Sequence, residues 1–165
     1  MFTLIRTLTY ASLFVALLLV LVPARLLEWS GVSRPADAGV AQVLGLAGAI
    51  LGGALAAWCV LTFAFVGRGT PAPFDPPRRL VVSGPYRRVR NPMYLGAILA
   101  LAGAALYYES AALFGYTVVF FLVAHLFVTF YEEPTLTRTF GPDYDAYRAR
   151  AGRWLPRRRP PRSSS

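Results

Sequence analysis

The stretch NPMYLGAILALAGAALYYESAALFGYTVVFFLVAHLFVTFYEE, residues 91–133, decides the fold of this chain. It opens with 18 uncharged residues, Asn91 to Tyr108, meets Glu109, and continues with 22 more uncharged residues from Ser110 to Tyr131. A hydrocarbon core about 30 Å thick takes roughly 20 apolar helical residues to cross. Two such runs with one short polar break predict a tight helical hairpin that turns near Glu109 and returns its open ends to one membrane surface. Charge and aromatics gather at those open ends, where a membrane-embedded chain meets water.

Working outward, Thr7 to Ala24 is uncharged for 18 residues and Ala38 to Gly67 for 30, and each run holds one further span. A hydrophobic content of 56% and a mean hydropathy of +0.48 are too apolar for an ordinary soluble domain. The expectation is an all-α integral membrane protein with four transmembrane helices and a C-terminal interfacial amphipathic segment. Residues 1–156 form a single membrane domain, and residues 157–165 form a basic, disordered tail that can touch anionic headgroups. Val22-Pro-Ala24 also resembles a small-residue cleavage site, but Arg6 alone is a thin positive region for a signal peptide. Gly45, Gly48, Gly52 and Gly53 lie among alanines in the second run, which permits close helix packing. Gly67 to Pro77, with four prolines, reads as a surface loop, and Cys59 reads as a small buried hydrophobe.

The net charge of +9 comes from 17 arginines and no lysine against 8 acids. Nucleic acid is not the expected partner, because the arginines follow the membrane pattern. With the N-terminus in the cytoplasm, Arg6, the six from Arg68 to Arg90 and the eight from Arg138 to Arg162 lie inside, leaving Arg25 and Arg34 outside. That 15 to 2 division predicts both termini in the cytoplasm of a multi-pass protein. Absence of lysine with abundant Ala, Arg, Gly and Pro points to a GC-rich bacterial genome, hence to the bacterial inner membrane.

Chemistry concentrates in two blocks flanking the hairpin, Gly84-Pro-Tyr-Arg-Arg-Val-Arg-Asn-Pro-Met-Tyr-Leu-Gly96 and Tyr131 to Tyr147. Asn91-Pro92 has the form of a helix start, with Asn as N-cap and Pro at the first helical position. A helix start beside Arg87, Arg88 and Arg90 suits either headgroup anchoring or a carboxylate or phosphate ligand. Glu132 and Glu133 stand near the end of a span, where the helix dipole disfavours negative charge. Their compensation comes either from nearby arginines as ion pairs or from hydroxyl and ammonium groups of a ligand. His125, Thr129 and Glu132, spaced by four and three, share one helix face, on which His125 is either a packed, hydrogen-bonded histidine or part of a pocket lining. Beyond Pro134, Leu136 and Phe140 lie one turn apart, and after Gly141-Pro142 a short helix carries Tyr144, Tyr147 and Ala151 on one face, with Asp145 able to pair with Arg148. Those tyrosines belong to an interfacial aromatic belt or close a lid, and an aromatic face also suits a cationic sulfonium. No metal-ligand spacing is present.

At these residues the chain resembles the isoprenylcysteine carboxyl methyltransferase and phospholipid methyltransferase superfamily of integral membrane enzymes, over roughly Gly67 to Pro156. The resemblance rests on the first block together with Tyr-Glu-Glu-Pro-Thr-Leu and Phe-Gly-Pro-Asp-Tyr-Asp-Ala-Tyr, in this order around a hairpin. It implies S-adenosylmethionine as methyl donor and a lipophilic small molecule or lipid as acceptor, reached from the membrane. It implies that Glu132 and Glu133 hold the cofactor's ribose or ammonium, while Arg90 and Asn91 hold its carboxylate. Tyr94 and Gly96 shape the pocket, His125 lines it, Tyr144 and Tyr147 close it, and Arg150 and Arg153 either hold an anionic acceptor or contact headgroups. Eukaryotic members carry Arg-His-Pro where this chain has Arg90-Asn91-Pro92, so position 91 can only hydrogen-bond here. The reaction expected is an in-line displacement at the donor methyl in a dry pocket. A membrane NADPH-dependent reductase of the steroid and sterol type, whose C-terminal half is similar, is the alternative, and a non-enzymatic membrane scaffold is a third.

Overall fold

The structure, a computed structural model, describes residues 16–62, 65 and 80–157. Among the described residues it is entirely helical, with one isolated bridge between Val89 and Gly152. Helix α1 is a π-helical stretch, Ala16–Leu21, that continues as an α-helix, Val22–Trp29. It runs past Ala24, the expected end of the first span, and residues 7–15 of that span lie outside the described residues, as does the expected loop from Gly67 to Pro77. Helix α2 is Val40–Thr62 and α3 is Pro92–Tyr107. Helix α4, Ala111–Phe127, passes through a π-helical stretch, Val128–Glu132, into α5, Glu133–Phe140, before α6, Pro142–Arg150.

The hairpin turns where the uncharged runs are broken. Glu109 takes a left-handed φ of 50°, and Ser110 caps α4 by accepting the Leu113 N–H at 3.2 Å. Gln42 reaches this turn from the start of α2, its Nε2 donating to Glu109 Oε1 at 3.2 Å and, more weakly, to Tyr107 O at 3.4 Å. A polar clasp therefore sets the axial register of α2 against the hairpin.

Between the clasp and the far end, α2 and α3 are held by close approach of their backbones. A Cβ on Gly45 would stand 2.5 Å from Tyr107 N and 2.7 Å from Gly103 O, and one on Gly96 would stand 2.8 Å from both Ala56 N and Gly52 O. Lipid removes the hydrophobic drive between helices, so contact of this kind supplies their attraction. Of the small residues read from the sequence as a packing face, Gly45, Gly48 and Gly52 thus meet a matching set on α3, whereas Gly53 meets open space because it points away from that helix.

Two helices are long and apolar enough to cross a bilayer, Val40–Thr62 and the continuous Ala111–Phe140. Only 17% and 22% of their most apolar 18-residue windows are buried, so they are not core helices of a soluble protein. Their exposed Leu51, Trp58, Phe114, Val123 and Phe130 form a lipid-facing surface. The expectation of four spans meets a shorter α3, whose 16 residues reach roughly 24 Å.

Gly103→Val should separate α2 from α3, because its side chain would enter the Ala49 and Gly45 backbone, whereas Gly53→Ala meets open space within 4 Å. Thermal unfolding in detergent should show the first variant destabilised by about 1–3 kcal/mol or more and the second unchanged. Equal stability of the two would show that backbone contact does not hold this pair.

Candidate functional site

The start of α3 and the end of α4 lie at the same end of the hairpin, and the C-terminal strap, residues 151–157, crosses between them. On the approach to α3, Gly84 adopts φ +56° and Pro85 starts a 3-10 turn, Gly84–Arg87, that lays Tyr86 against Cys59 and Val81. Arg87 and Arg88 stay exposed while Val89 is buried. The strap is sewn to this segment by main-chain contacts, with the Arg90 N–H donating to Gly152 O at 2.8 Å and Val89 bridging Gly152 in parallel. A Cβ at Gly152 would run into the Leu155 carbonyl oxygen, so the strap's tight turn requires glycine. Asn91 occupies the N-cap position of α3 without a side-chain cap, and its Nδ2 instead donates to Arg153 O at 3.2 Å.

At the centre is the carboxylate of Glu133, 7% exposed. Arg90 Nη2 approaches its Oε1 at 2.8 Å, while Arg153 grips both oxygens, Nε to Oε1 at 2.8 Å and Nη2 to Oε2 at 2.7 Å. Arg153 Nη1 also donates to Thr129 Oγ1 at 3.1 Å. The two-pronged geometry is the strong form of this pair. The Arg90 side chain is 9% exposed, and its Nε is buried without a hydrogen-bond partner among the described residues.

Glu132 faces elsewhere, accepting from Tyr94 Oη at a long 3.4 Å. Glu133 follows Thr129 by four residues and lies on the same side of the helix, through a turn that is π-helical over Val128–Glu132. Both meet Arg153, while Glu132, one position earlier, meets Tyr94 of α3. The face expected to hold His125, Thr129 and Glu132 therefore carries His125, Thr129 and Glu133 against the strap.

Sequence reasoning missed Trp154, which fills the corner of this site. Its Nε1 donates to His125 Nδ1 at 3.0 Å, and its ring meets Phe121 at 5.4 Å, His125 at 6.1 Å and Tyr94 at 6.4 Å. The available signal was a large aromatic placed between Arg153 and Pro156 in an otherwise basic tail.

Tyr144, Tyr147 and Ala151 do share a face, and it is buried with Leu80, Leu136 and Phe140 packed against it. Tyr147 Oη donates to Tyr86 O at 2.7 Å, tying α6 to the 3-10 turn. Burial, followed by the charge of Glu133, pushes the Tyr144 hydroxyl up to about 12, and burial likewise raises Tyr147, so both stay protonated donors. The hydrogen bond to Glu133 holds the Arg153 guanidinium charged even beyond its ordinary range. Gly96 packs on the α2 backbone at Ala56, and Arg150 is exposed, with Nε donating to Ala146 O in its own helix. Asp145 and Arg148 are paired loosely at 3.8 Å. Of the expected site residues, Arg90, Asn91, Tyr94, His125, Glu132, Glu133 and Arg153 converge, while Tyr144 and Tyr147 form the buried face of α6 against Leu80, Leu136 and Phe140.

The profile of the family described as phospholipid methyltransferase matches residues 40–143, more than half of the chain, from the start of α2 into the first turn of α6. The chain belongs to the phospholipid methyltransferase family. No curated protein and no solved structure matches it. The family segment contains Arg90, Asn91, Tyr94, His125, Glu132 and Glu133, whereas the strap with Arg153 and Trp154 lies beyond it. Methyl transfer at a membrane follows as the activity of the family.

Removing one partner of a buried ion pair leaves the other charge uncompensated. Glu133→Gln should therefore cost about 3 kcal/mol of stability, and loosening of the strap should change the fluorescence contributed by Trp154. Glu132→Gln should leave the thermal transition near that of the native protein. If the two variants melt alike, Glu133 does not anchor the strap.

Proposed function

We propose that the protein catalyses S-adenosylmethionine-dependent methyl transfer to a lipophilic acceptor at the cytoplasmic membrane surface. The observation that carries this reading is the convergence, in a member of this family, of Glu132, Tyr94 and the unpartnered Nε of Arg90 at one end of the hairpin. The residues fit the cofactor's polar groups. A buried donor without a partner suits a carboxylate, and a carboxylate that accepts only a long hydrogen bond from Tyr94 among the described residues suits an ammonium or ribose hydroxyl.

When bound, the cofactor supplies an electrophilic methyl on a sulfonium. The remaining tasks fall to the chain. Glu132, oriented by Tyr94, binds a donor group, and Arg90 binds an anionic one while Glu133 holds its guanidinium in place. Tyr94, Phe121, His125 and Trp154 provide aromatic surface that favours a cation and excludes water. Arg153 acts through Glu133, fastening the strap that carries Trp154. Four spans with both termini in the cytoplasm complete the reading, with α3 crossing by the help of its polar flanks.

Purified protein should bind S-adenosylmethionine saturably and NADPH not at all, and Glu132→Gln should weaken that binding by about tenfold through loss of a charge-assisted hydrogen bond. With a membrane extract of the source cell, label from the donor methyl should enter the lipid fraction. Saturable NADPH binding without S-adenosylmethionine binding would return the reductase reading, and label confined to the water-soluble fraction would overturn the lipophilic acceptor. Reporter fusions that place Arg87 and Arg88 outside the cell would overturn the topology.

A further inference from the structure

His125, the only histidine of the chain, lies within the uncharged run from Ser110 to Tyr131, about two turns and roughly 10 Å along the helix from Glu132 towards the bilayer interior. Its Nδ1 accepts the indole N–H of Trp154 at 3.0 Å, and the two ring planes lie within 28° of each other. The donated hydrogen therefore meets the imidazole close to its own plane, where the Nδ1 lone pair is. That bond settles the position of the proton: an Nδ1 that accepts carries none, so the ring's hydrogen sits on Nε2. With one lone pair engaged and the other nitrogen protonated, His125 has nothing left with which to take a proton from a substrate. It can only donate. Nε2 has no hydrogen-bond partner among the described residues, and the ring is half-buried.

The surroundings say what can meet that donor. Trp154 and Phe121 flank the ring at centroid distances of 6.1 Å and 6.0 Å. Leu122, one turn before His125, and Leu126, beside it, are 52% and 54% exposed and belong to the lipid-facing surface. His125 thus stands on the seam between the strap and the lipid. Hydrocarbon offers no hydrogen-bond acceptor, and an N–H left unmet there is unfavourable. Glu132 and Arg90 lie nearer the polar end of the hairpin, so the molecule that reaches His125 at its depth is one that arrives from the bilayer. We propose that Trp154 is a positioning residue that holds His125 in its Nε2–H form, and that this hydrogen is donated to a carbonyl or hydroxyl oxygen of the lipophilic acceptor. The bond orients the acceptor and transfers no proton. It selects an acceptor with an oxygen at that depth over one that is hydrocarbon there. Calling the bound molecule the methyl acceptor rests on the proposed function, but the tautomer and the binding do not, since both are read without cofactor.

The test uses the full chain in detergent, isotope-labelled at histidine for nitrogen NMR, where a single histidine gives one pair of ring resonances. Without cofactor, Nδ1 should resonate as an unprotonated, hydrogen-bonded nitrogen and Nε2 as a protonated one. A proton on Nδ1 would overturn the proposal. Trp154→Phe keeps an aromatic ring without the donor, so Nδ1 should move to the position of a nitrogen free of hydrogen bonding; an unmoved resonance would remove Trp154 from the positioning role. Addition of a total lipid extract of source-cell membranes should shift Nε2, and the absence of a shift would overturn the bilayer ligand. With S-adenosylmethionine present and the extract limiting, transfer of labelled methyl to lipid should fall about tenfold in His125→Phe. His125→Gln, whose amide N–H stands where Nε2 does, should stay within about threefold of the native protein. The loss should appear in KM for the extract, with S-adenosylmethionine affinity unchanged. Equal losses in the two variants would overturn the hydrogen bond, and weakened S-adenosylmethionine binding in His125→Phe would overturn the acceptor in favour of the cofactor. An Nε2 shift with extract, but no label transferred by the native protein, would count against the methyl-transfer reading alone.

Discussion

The carboxylate of Glu133 is the point on which the rest of the site depends. It is buried at the end of a long apolar helix, where desolvation and the helix dipole both oppose a negative charge, and two arginines answer it. Those arginines come from different parts of the chain, Arg90 from the segment entering α3 and Arg153 from the strap. One acid therefore joins three segments distant in sequence, and the strap's main-chain contacts at Gly152 and Asn91 fix the same arrangement by independent bonds. Trp154 follows Arg153 into place, so the ion pair and the strap's main-chain contacts together position the aromatic corner.

A second constraint operates deeper in the membrane. Glycine and alanine on α2 and α3 bring two backbones close enough that most larger side chains would be excluded, and the Gln42 clasp fixes their axial register. This pair gives the hairpin a rigid neighbour, so that the open ends of α3 and α4 hold polar groups in a constant geometry. Rigid scaffolding of this kind lets neighbouring acids take different tasks: Glu133 binds the protein to itself, and Glu132 retains capacity for something else.

The division between the two acids was not legible from their spacing. Counting by α-helical turns places both Glu132, three residues after Thr129, and Glu133, four after it, near the Thr129 face, and only the docked strap shows that Arg153 takes Glu133 while Glu132 meets Tyr94. Trp154 stood out only as a single aromatic in a basic tail, which carries no period and reveals its place only when the strap is docked.

The sequence by itself determined the membrane character, the hairpin about Glu109, the close-packed glycine face and the family, since these follow from run length, charge and local spacing that act over one or two helical turns. Tertiary structure alone decided that Glu133 is neutralised by Arg90 and Arg153, that Asn91 holds the strap rather than capping α3, and that Trp154 rests on His125. Those contacts join residues separated by as many as 62 positions, and the energy of a charge or hydrogen bond depends on burial and angle at the meeting point, which no local pattern encodes.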